Sequence, residues 1–394
     1  MANTTNPLNY PTFHLTLNDE LSERLITISL MIGAICFTSY VLTRTWGPKV
    51  PFFGTKSQWE PFVVSSFRFL FYAEDVLLEG YRNCKDKVFQ FRRADRDILV
   101  LPPKFVDEIR KLPNNVASPI VAHAKNLLGP TTNMNIILQS NLHTRALQLK
   151  LTPNINRLVP SMQDEAGLAI EHDWEPIKPY YALLDVVARV SAKTFLGKPL
   201  CRNEDWLEIT KNFTENGKSA FGAIIILRLL PQWTHWLVSW LIPFSYKGAA
   251  YLRKAKSILV PEIERRVEMK RQGTAMGEDL ENTHLSWMID IATEEECDPA
   301  FLAHLQVVMA LASIHTSKMN VINVLYDLLA YPEYLEPLRE EIQELAKEKP
   351  WKTWGRLEFG RLRKLDSFMR ESQRVNPPHS PLHAPGGVRE DRAF

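Results

Sequence analysis

The sequence has few cysteines and does not cluster them. Its four cysteines, Cys36, Cys84, Cys201 and Cys297, lie far apart and form no Cys-x-x-Cys pair. This spacing argues against a zinc site, a redox dithiol and a disulfide framework. The chain also has no large excess of charge of either sign, because its 47 Lys and Arg residues nearly balance its 45 Asp and Glu residues and leave a formal net charge of +2. No basic excess therefore predicts binding to nucleic acid.

The signatures of several enzyme classes are missing as well. The chain contains no Gly-x-Gly-x-x-Gly, Gly-x-Ser-x-Gly or His-Glu-x-x-His motif, and its ten histidines show no metal-ligand spacing. Gly217-Lys218-Ser219 resembles part of a phosphate loop, but Asn212 stands where that motif requires glycine. What the chain does have is length, because 394 residues can bury a large hydrophobic core.

An uncharged apolar run lies near the N-terminus. Leu25–Leu42 spans 18 residues without a charge, which is about the minimum for a membrane-spanning helix. A proline-rich stretch follows it, so the pattern predicts an anchor over 25–45 and a stiff hinge over 46–56. A buried core helix is the alternative interpretation of the same run.

The charges that flank this run predict its orientation. Basic residues are fewer before it than after it, and they are Arg24 on one side and Arg44, Lys49 and Lys56 on the other. The positive-inside rule then places the body of the chain in the cytosol and residues 1–24 in the lumen. Asn3 begins a glycosylation sequon, Asn3-Thr4-Thr5, in this predicted lumenal tail.

The body of the chain is dominated by helical periodicity. Two short strand patterns, Lys87–Arg92 and Asp97–Leu101, are separated by a polar turn. Amphipathic patterns at Ala73–Cys84 and Lys104–Leu112 predict helices on either side of them. The sequence therefore predicts a mainly α fold with a small β-sheet.

A tryptophan-rich apolar segment covers Phe221–Phe244. Pro231 divides it into halves that are too short to span a bilayer. Trp233, Trp236 and Trp240 fall on one helical face. The segment is either a pair of core helices or a surface that enters the membrane interface, where tryptophan is favoured; the nearby anchor favours the second interpretation.

A long helix is predicted from Asp298 to Tyr331. Asp298-Pro299 is a strong start signal, and no Gly or Pro follows until Pro332. Its centre is apolar on every side and is followed by a polar cluster that includes Ser313, His315, Thr316, Ser317 and Lys318. Either the hydroxyls bond back to carbonyls one turn earlier, or a distorted turn opens a pocket for a cofactor or substrate.

Two amphipathic helices are predicted after it. Pro332–Lys349 has an inward stripe of Leu335, Leu338, Ile342 and Leu345. Leu362–Val375 follows, with Leu362, Leu365, Phe368, Met369 and Val375 predicted to face inward, and with Glu371 and Arg374 three residues apart on one face.

These segments, in this order, resemble a microsomal cytochrome P450. The resemblance is carried by the stretches ASIHTS (Ala312–Ser317), PEYLEPLREEI (Pro332–Ile342) and LDSFMRESQRVNPP (Leu365–Pro378), the last of which contains the family's Glu-x-x-Arg motif. The His-Thr-Ser form of the first stretch is similar to that of fungal secondary-metabolism members related to ent-kaurene oxidase. The resemblance implies oxidation of a lipophilic, terpenoid-type substrate at the endoplasmic reticulum membrane by a single-pass protein, with haem as cofactor and electrons from an NADPH–cytochrome P450 reductase.

The resemblance also implies roles for individual residues. Thr316 would supply a hydroxyl that relays protons during oxygen activation, with His315 in place of the more usual acid before it. Ala312 would let the helix approach the haem. Glu371 and Arg374 would form a structural ion pair beneath the haem. A basic residue toward the haem propionates would be Arg145 or, equally, Lys150.

One departure from the family pattern concerns the iron ligand. The family holds haem through a cysteine thiolate in a Cys-x-Gly loop well after the Glu-x-x-Arg helix. None of the four cysteines has the flanks of that loop, and residues 379–394 contain no cysteine. We therefore expect an incomplete P450 domain over 57–378, an aberrant tail over 379–394 and no activity from the chain as written. The alternative to an enzyme is a non-catalytic, membrane-anchored remnant.

Overall fold

A computed structural model describes residues 26–31, 33, 50–56, 60, 62–93, 95–170, 179–215, 217–230, 234–241 and 243–376. Residues 26–31 and 33 are helical, whereas the rest of the predicted anchor, the Asn3 sequon and the tail 379–394 lie outside the described residues. In the described part, only Pro299–Ala330 is long and apolar enough to cross a membrane, and half of its most apolar window is buried inside the protein. A helix in the core of a protein is buried in the same way and has the same length and apolar composition.

The small sheet has three strands, β1 (Phe52–Phe53), β2 (Phe89–Arg92) and β3 (Asp97–Val100), in that spatial order. The two strand patterns predicted β2 and β3; these strands pair antiparallel, with Phe89 opposite Val100. Strand β1 runs parallel to β2 and was not predicted, because two residues are too few to show alternation.

The helices are numbered in chain order. The first part of the chain contains α1 (Phe62–Asn83), α2 (Val106–Arg110), α3 (Pro119–Asn126), α4 (Gly129–Thr132), α5 (Leu142–Ala146), α6 (Ile155–Ile170) and α7 (Pro179–Leu196). It is followed by α8 (Glu204–Glu215), α9 (Gly217–Leu229), α10 (His235–Leu241), α11 (Pro243–Arg271), α12 (Glu278–Glu281) and α13 (His284–Ile291). The last are α14 (Pro299–Ala330), α15 (Leu335–Glu348), α16 (Arg356–Phe359) and α17 (Arg363–Val375).

Short helical turns connect several of these helices. Five-residue segments are the 3₁₀ turn Met134–Leu138 and the π turn Leu147–Leu151. Three-residue 3₁₀ turns are Pro103–Phe105, Leu200–Arg202, Glu295–Cys297, Pro332–Tyr334 and Trp351–Thr353.

The main hydrophobic core is built around α14. As predicted, Asp298 caps the helix, and its Oδ2 accepts a hydrogen bond of 2.8 Å from the backbone N–H of Phe301. Every residue from Leu305 to Ala310 is buried, so this part of the helix must be covered on all sides. Helices α7, α8, α11 and α17 pack against it and provide that cover.

The two predicted late helices are present, with shorter inward stripes than expected. On α15, Leu338 and Leu345 are buried but Ile342 is exposed. On α17, Phe368 is buried but Met369 is exposed, because it lies about 100° around the helix from Phe368.

The tryptophan-rich segment forms the end of α9, then α10 and the start of α11. Residues 231–233 and the side chain of Trp240 lie outside the description, so the predicted three-tryptophan face cannot be read there. Trp236 is 74% exposed on α10, and Leu237 and Leu241 are exposed on the same helix. At Trp236, therefore, the segment lies on the surface and not in the core.

A fully buried guanidinium joins three helices behind α14. Arg266 on α11 is 0% exposed. Its Nε donates to Glu262 Oε1 at 2.7 Å, and its Nη2 donates to the backbone oxygen of Leu196 at the end of α7 at 2.6 Å. Its Nη1 reaches the hydroxyls of Thr283 and Ser286, at 3.2 and 3.3 Å, at the start of α13. Burial lowers the pKa of Arg266, and Glu262 opposes that effect.

We predict that Arg266→Met will lower the free energy of unfolding by about 3–5 kcal/mol, because it leaves buried hydrogen-bonding groups without their donor. Arg265→Met is the matched control, since the Arg265 guanidinium contacts the same Glu262 but is largely exposed; it should cost less than about 1 kcal/mol. Urea unfolding followed by circular dichroism measures both variants. Equal losses for the two would contradict the assigned role of Arg266.

Candidate functional site on the central helix

The polar turn of α14 is a regular part of the helix. The helix runs without interruption through Ser313–Ser317. The hydroxyl of Thr316 donates to the backbone oxygen of Ala312 at 2.8 Å, which is the back-bonding alternative left open by the sequence. Ser313 Oγ lies 3.1 Å from Ser191 Oγ on α7. The distorted turn offered as the second alternative is not seen.

An open stripe on α14 begins at Ala312. Ala312 is exposed, His315 and Thr316 are half-buried, and Tyr326 is half-exposed further along the helix. Ala312, Thr316 and Tyr326 share one face because the helix repeats every 3.6 residues. A small side chain beside a hydroxyl leaves room for a flat ligand to approach the backbone. The Thr316 proton is held by the Ala312 carbonyl, so its oxygen remains able to accept a hydrogen bond.

A buried lysine lies on another side of the same helix. Lys318 is almost fully buried, and its Nζ donates to the phenol oxygen of Tyr180 on α7 at 2.5 Å. The ammonium also lies 4.2 Å from the centre of the Tyr180 ring, a cation–π distance. The sequence places Lys318 in the polar cluster and did not predict this contact, although a lysine in an apolar helical run indicates a buried partner.

Glu371 and Arg374 pair with each other on α17, as their spacing predicted. Arg374 Nε donates to Glu371 Oε2 at 2.8 Å, and a second contact joins Nη2 to Oε1. This contact lowers the pKa of Glu371 and raises that of Arg374. Arg374 is 66% exposed, so the pair lies on an open face of the helix.

A carboxylate on α14 anchors the buried side of α17. The hydroxyl of Ser372 donates to Asp327 Oδ2 at 2.5 Å. The Nδ2 of Asn376 lies 2.9 and 3.1 Å from the two oxygens of Asp327, and Asn323 Nδ2 donates to the Asn376 backbone oxygen at 3.0 Å. These bonds fix which face of α17 points inward and therefore which face carries Glu371. Sequence reasoning missed all of them, because Asp327 and Ser372 are 45 residues apart.

The two candidates for a propionate ligand occupy neighbouring turns. Arg145 lies in the last turn of α5, and its Nη2 lies 2.5 Å from Glu296 Oε2. Glu296 also accepts from the Ser140 hydroxyl. Arg145 Nε is buried and has no partner in the described part of the chain. Lys150 lies in the π turn and is half-buried, with no hydrogen bond or ion pair of its side chain among the described residues.

The described residues fit one side of a haem and supply no thiolate for the other. Ala312 and Thr316 provide the open face. Cys84 is buried against the small sheet, and Cys201 is buried in the main core, where burial raises the pKa of its thiol. Cys297 precedes α14, about 22 Å along the helix from Ala312 at 1.5 Å per residue.

Comparison with protein families and with characterised relatives gives consistent results. The family model described as Cytochrome P450 matches residues 121–389. The cytochrome P450 monooxygenase AN1598 of Emericella nidulans is 41% identical to this chain, over 84% of the chain and 62% of that protein. The cytochrome P450 monooxygenase olcJ of Penicillium canescens is 38% identical, over 90% and 67%. An ent-kaurene oxidase of Gibberella intermedia is 33% identical, over 90% and 66%. The chain spans about two thirds of the length of these relatives.

A solved structure supports the fold. Retinoic acid-bound cyanobacterial CYP120A1 matches with a TM-score of 0.52 and 16% sequence identity, covering 83% of this chain and 70% of that one. At this identity the likeness concerns the fold alone. It confirms the predicted mainly α architecture with a small sheet.

We predict that Ser372→Ala will lower the free energy of unfolding by about 1.5–3 kcal/mol, because the hydrogen bond that is lost ends on a buried carboxylate. Ser367→Ala on the exposed side of α17 is the control and should change stability by less than about 0.5 kcal/mol. Urea unfolding measures both. A neutral Ser372→Ala would show that Asp327 does not anchor α17 through this hydroxyl.

Proposed function

This chain belongs to the cytochrome P450 family, among its fungal secondary-metabolism members, and on that premise we propose that the protein is a monooxygenase that oxidises a lipophilic, terpenoid-type metabolite. The observation that carries the proposal is the open stripe of α14, where Ala312 leaves space beside the Thr316 hydroxyl. The 33% identity to an ent-kaurene oxidase supports the substrate class. Haem would supply the oxidation chemistry, with electrons from NADPH through a partner reductase.

The residues of the stripe have distinct parts in this proposal. Ala312 gives the ligand access to the helix backbone because it adds only a methyl group. Thr316 holds a proton at its Oγ1, directed at the Ala312 oxygen 2.8 Å away, and can donate this hydrogen bond instead to an acceptor that replaces the carbonyl. His315 precedes it and is half-buried, which gives this position a titratable neighbour.

We further propose that the 394-residue chain as written is inactive. The proposal rests on the positions of the described cysteines, since Cys84 and Cys201 are buried in hydrophobic clusters and Cys297 precedes α14, and on the absence of the family's Cys-x-Gly flanks. The second candidate, a non-catalytic remnant of such an enzyme, is favoured by the same observation.

We expect the purified 394-residue chain to give no thiolate-type band in a reduced carbon-monoxide difference spectrum. The positive control is a chimera that adds the part of the Emericella nidulans relative beyond its matched region. This chimera should give the band and consume NADPH with a reductase when terpenoid substrates are supplied. A full thiolate band from the chain alone would refute the inactivity, and a chimera that binds haem but oxidises none of them would argue against the enzyme.

We also propose that the protein is held at the endoplasmic reticulum membrane by a single anchor at 25–45, with its body in the cytosol. The exposed apolar residues Trp236, Leu237 and Leu241 of α10 would then rest in the membrane interface. Tryptophan and leucine are favoured at that depth, where apolar side chains are buried beside polar headgroups.

To isolate this surface from the anchor, a chain that starts at Val50 can be tested on neutral phosphatidylcholine vesicles. Trp236→Ser with Leu241→Ser should weaken vesicle binding at least about tenfold, given about 1.5–3 kcal/mol for each buried apolar side chain. Leu357→Ser, at an exposed leucine of α16, is the control and should bind as the parent does. Unchanged vesicle binding by the double variant would show that α10 does not contact the membrane.

A further inference from the structure

Three arginines meet at the turn between β2 and β3, and one of them, Arg228, lies on the helix that precedes α10. Arg93 and Arg96 flank the turn between β2 and β3, and Arg228 lies near the end of α9. Asn126, the last residue of α3, brings two of them together. Arg93 Nη1 donates to its side-chain oxygen at 3.1 Å, and Arg228 Nη2 donates to its backbone oxygen.

Among the described residues, the carboxylate that balances this arginine cluster is that of Asp95. Asp95 accepts from Arg93 Nε at 2.6 Å and from Arg96 Nε at 2.8 Å. Burial would raise the pKa of Asp95, but Arg93 and Arg96 together hold it below its ordinary value, so the group is ionised. Three guanidinium groups and one carboxylate leave two positive charges in excess. Burial and the neighbouring charges of Arg93 and Arg96 lower the pKa of Arg228, as expected where positive charge is concentrated.

Several donors of the arginine cluster have no partner in the described part of the chain. Arg228 Nε is buried without a hydrogen bond. Arg96 uses Nε for Asp95, and its side chain is 42% exposed. A guanidinium carries five N–H groups and cannot lose its charge in a protein, so an anion with several oxygens would satisfy these donors and offset the excess charge at the same time.

We propose that Arg93, Arg96 and Arg228 form a binding site for the phosphate of an anionic membrane phospholipid. Paired N–H groups of arginine match the oxygens of a phosphate. The position favours a lipid, because α9, which carries Arg228, packs against α10, whose residues Trp236, Leu237 and Leu241 are exposed. Apolar side chains that enter the interface place neighbouring arginines at the level of the headgroups. This site rests on the membrane contact proposed above.

The test uses the full chain in a neutral detergent, so that the anchor is already covered. Soluble dihexanoylphosphatidylglycerol is titrated in a calorimeter, with dihexanoylphosphatidylcholine and inorganic phosphate as the other two probes. We expect saturable binding of phosphatidylglycerol at least tenfold tighter than that of the other two. Inorganic phosphate that binds as tightly would overturn the assignment to lipid, and absence of saturable phosphatidylglycerol binding would overturn the site.

Variants separate a built site from general positive charge. Arg96→Gln with Arg228→Gln should weaken phosphatidylglycerol binding about 25-fold, at about fivefold for each arginine near an anionic headgroup. Arg96→Gln alone should weaken phosphatidylglycerol binding about fivefold. This single variant still tests the site if the double variant does not fold. Arg370→Gln, at an exposed arginine of α17, makes the same charge change and should have no effect.

Replacement by lysine gives the sharpest result. Arg96→Lys with Arg228→Lys keeps both charges but removes the fork of donors, so binding should remain at least fivefold weaker. Full binding by the lysine variant would overturn the site in favour of surface potential alone. Haem spectra test the proposed enzyme, and neutral-vesicle binding tests the proposed membrane contact. Failure of the arginine site can therefore be distinguished from failure of either of these proposals.

Discussion

Burial of the central helix is the constraint on which the rest of the described structure depends. At 32 residues, α14 is about 48 Å long, and its first half is largely apolar, with every residue from Leu305 to Ala310 buried. Such a helix is stable in water only when other helices surround it. Helices α7, α8 and α11 supply that cover, and polar side chains of α14 are kept where partners reach them, as with Ser313 and Ser191. From Ala312 onward, one face of α14 is no longer fully covered, and that face is the open stripe.

Arg266, which is buried, and Arg228, which is half-buried, have different roles although they carry the same side chain. Arg266 has acceptors on three helices, and every nitrogen of its guanidinium donates to one of them. Its charge is therefore part of the framework. Arg228 is half-buried, and among the described residues it has one acceptor on Asn126 and a buried Nε with none. The count of donors and acceptors shows which of the two charges is already satisfied by the fold.

The sequence predicted those features whose signals are local. Asp298-Pro299 marks the start of α14, a polar turn separates β2 from β3, and the spacing of Glu371 and Arg374 allows their contact within one helix turn. What it could not predict depends on distant partners. Leu196 and Arg266 are 70 residues apart, and Asp327 and Ser372 are 45 residues apart. No periodicity within one helix indicates such contacts, because they arise only when helices pack.

Ser372 occupies a position that the Glu-x-x-Arg pattern leaves unspecified. Its hydroxyl nevertheless makes the contact to Asp327, in a space with no exposed surface. A search that uses the pattern as written treats every residue at 372 as equivalent, including bulky or apolar residues that could not reach the carboxylate. In this chain, the side chain that joins α17 to α14 therefore stands at a position that the pattern leaves unspecified.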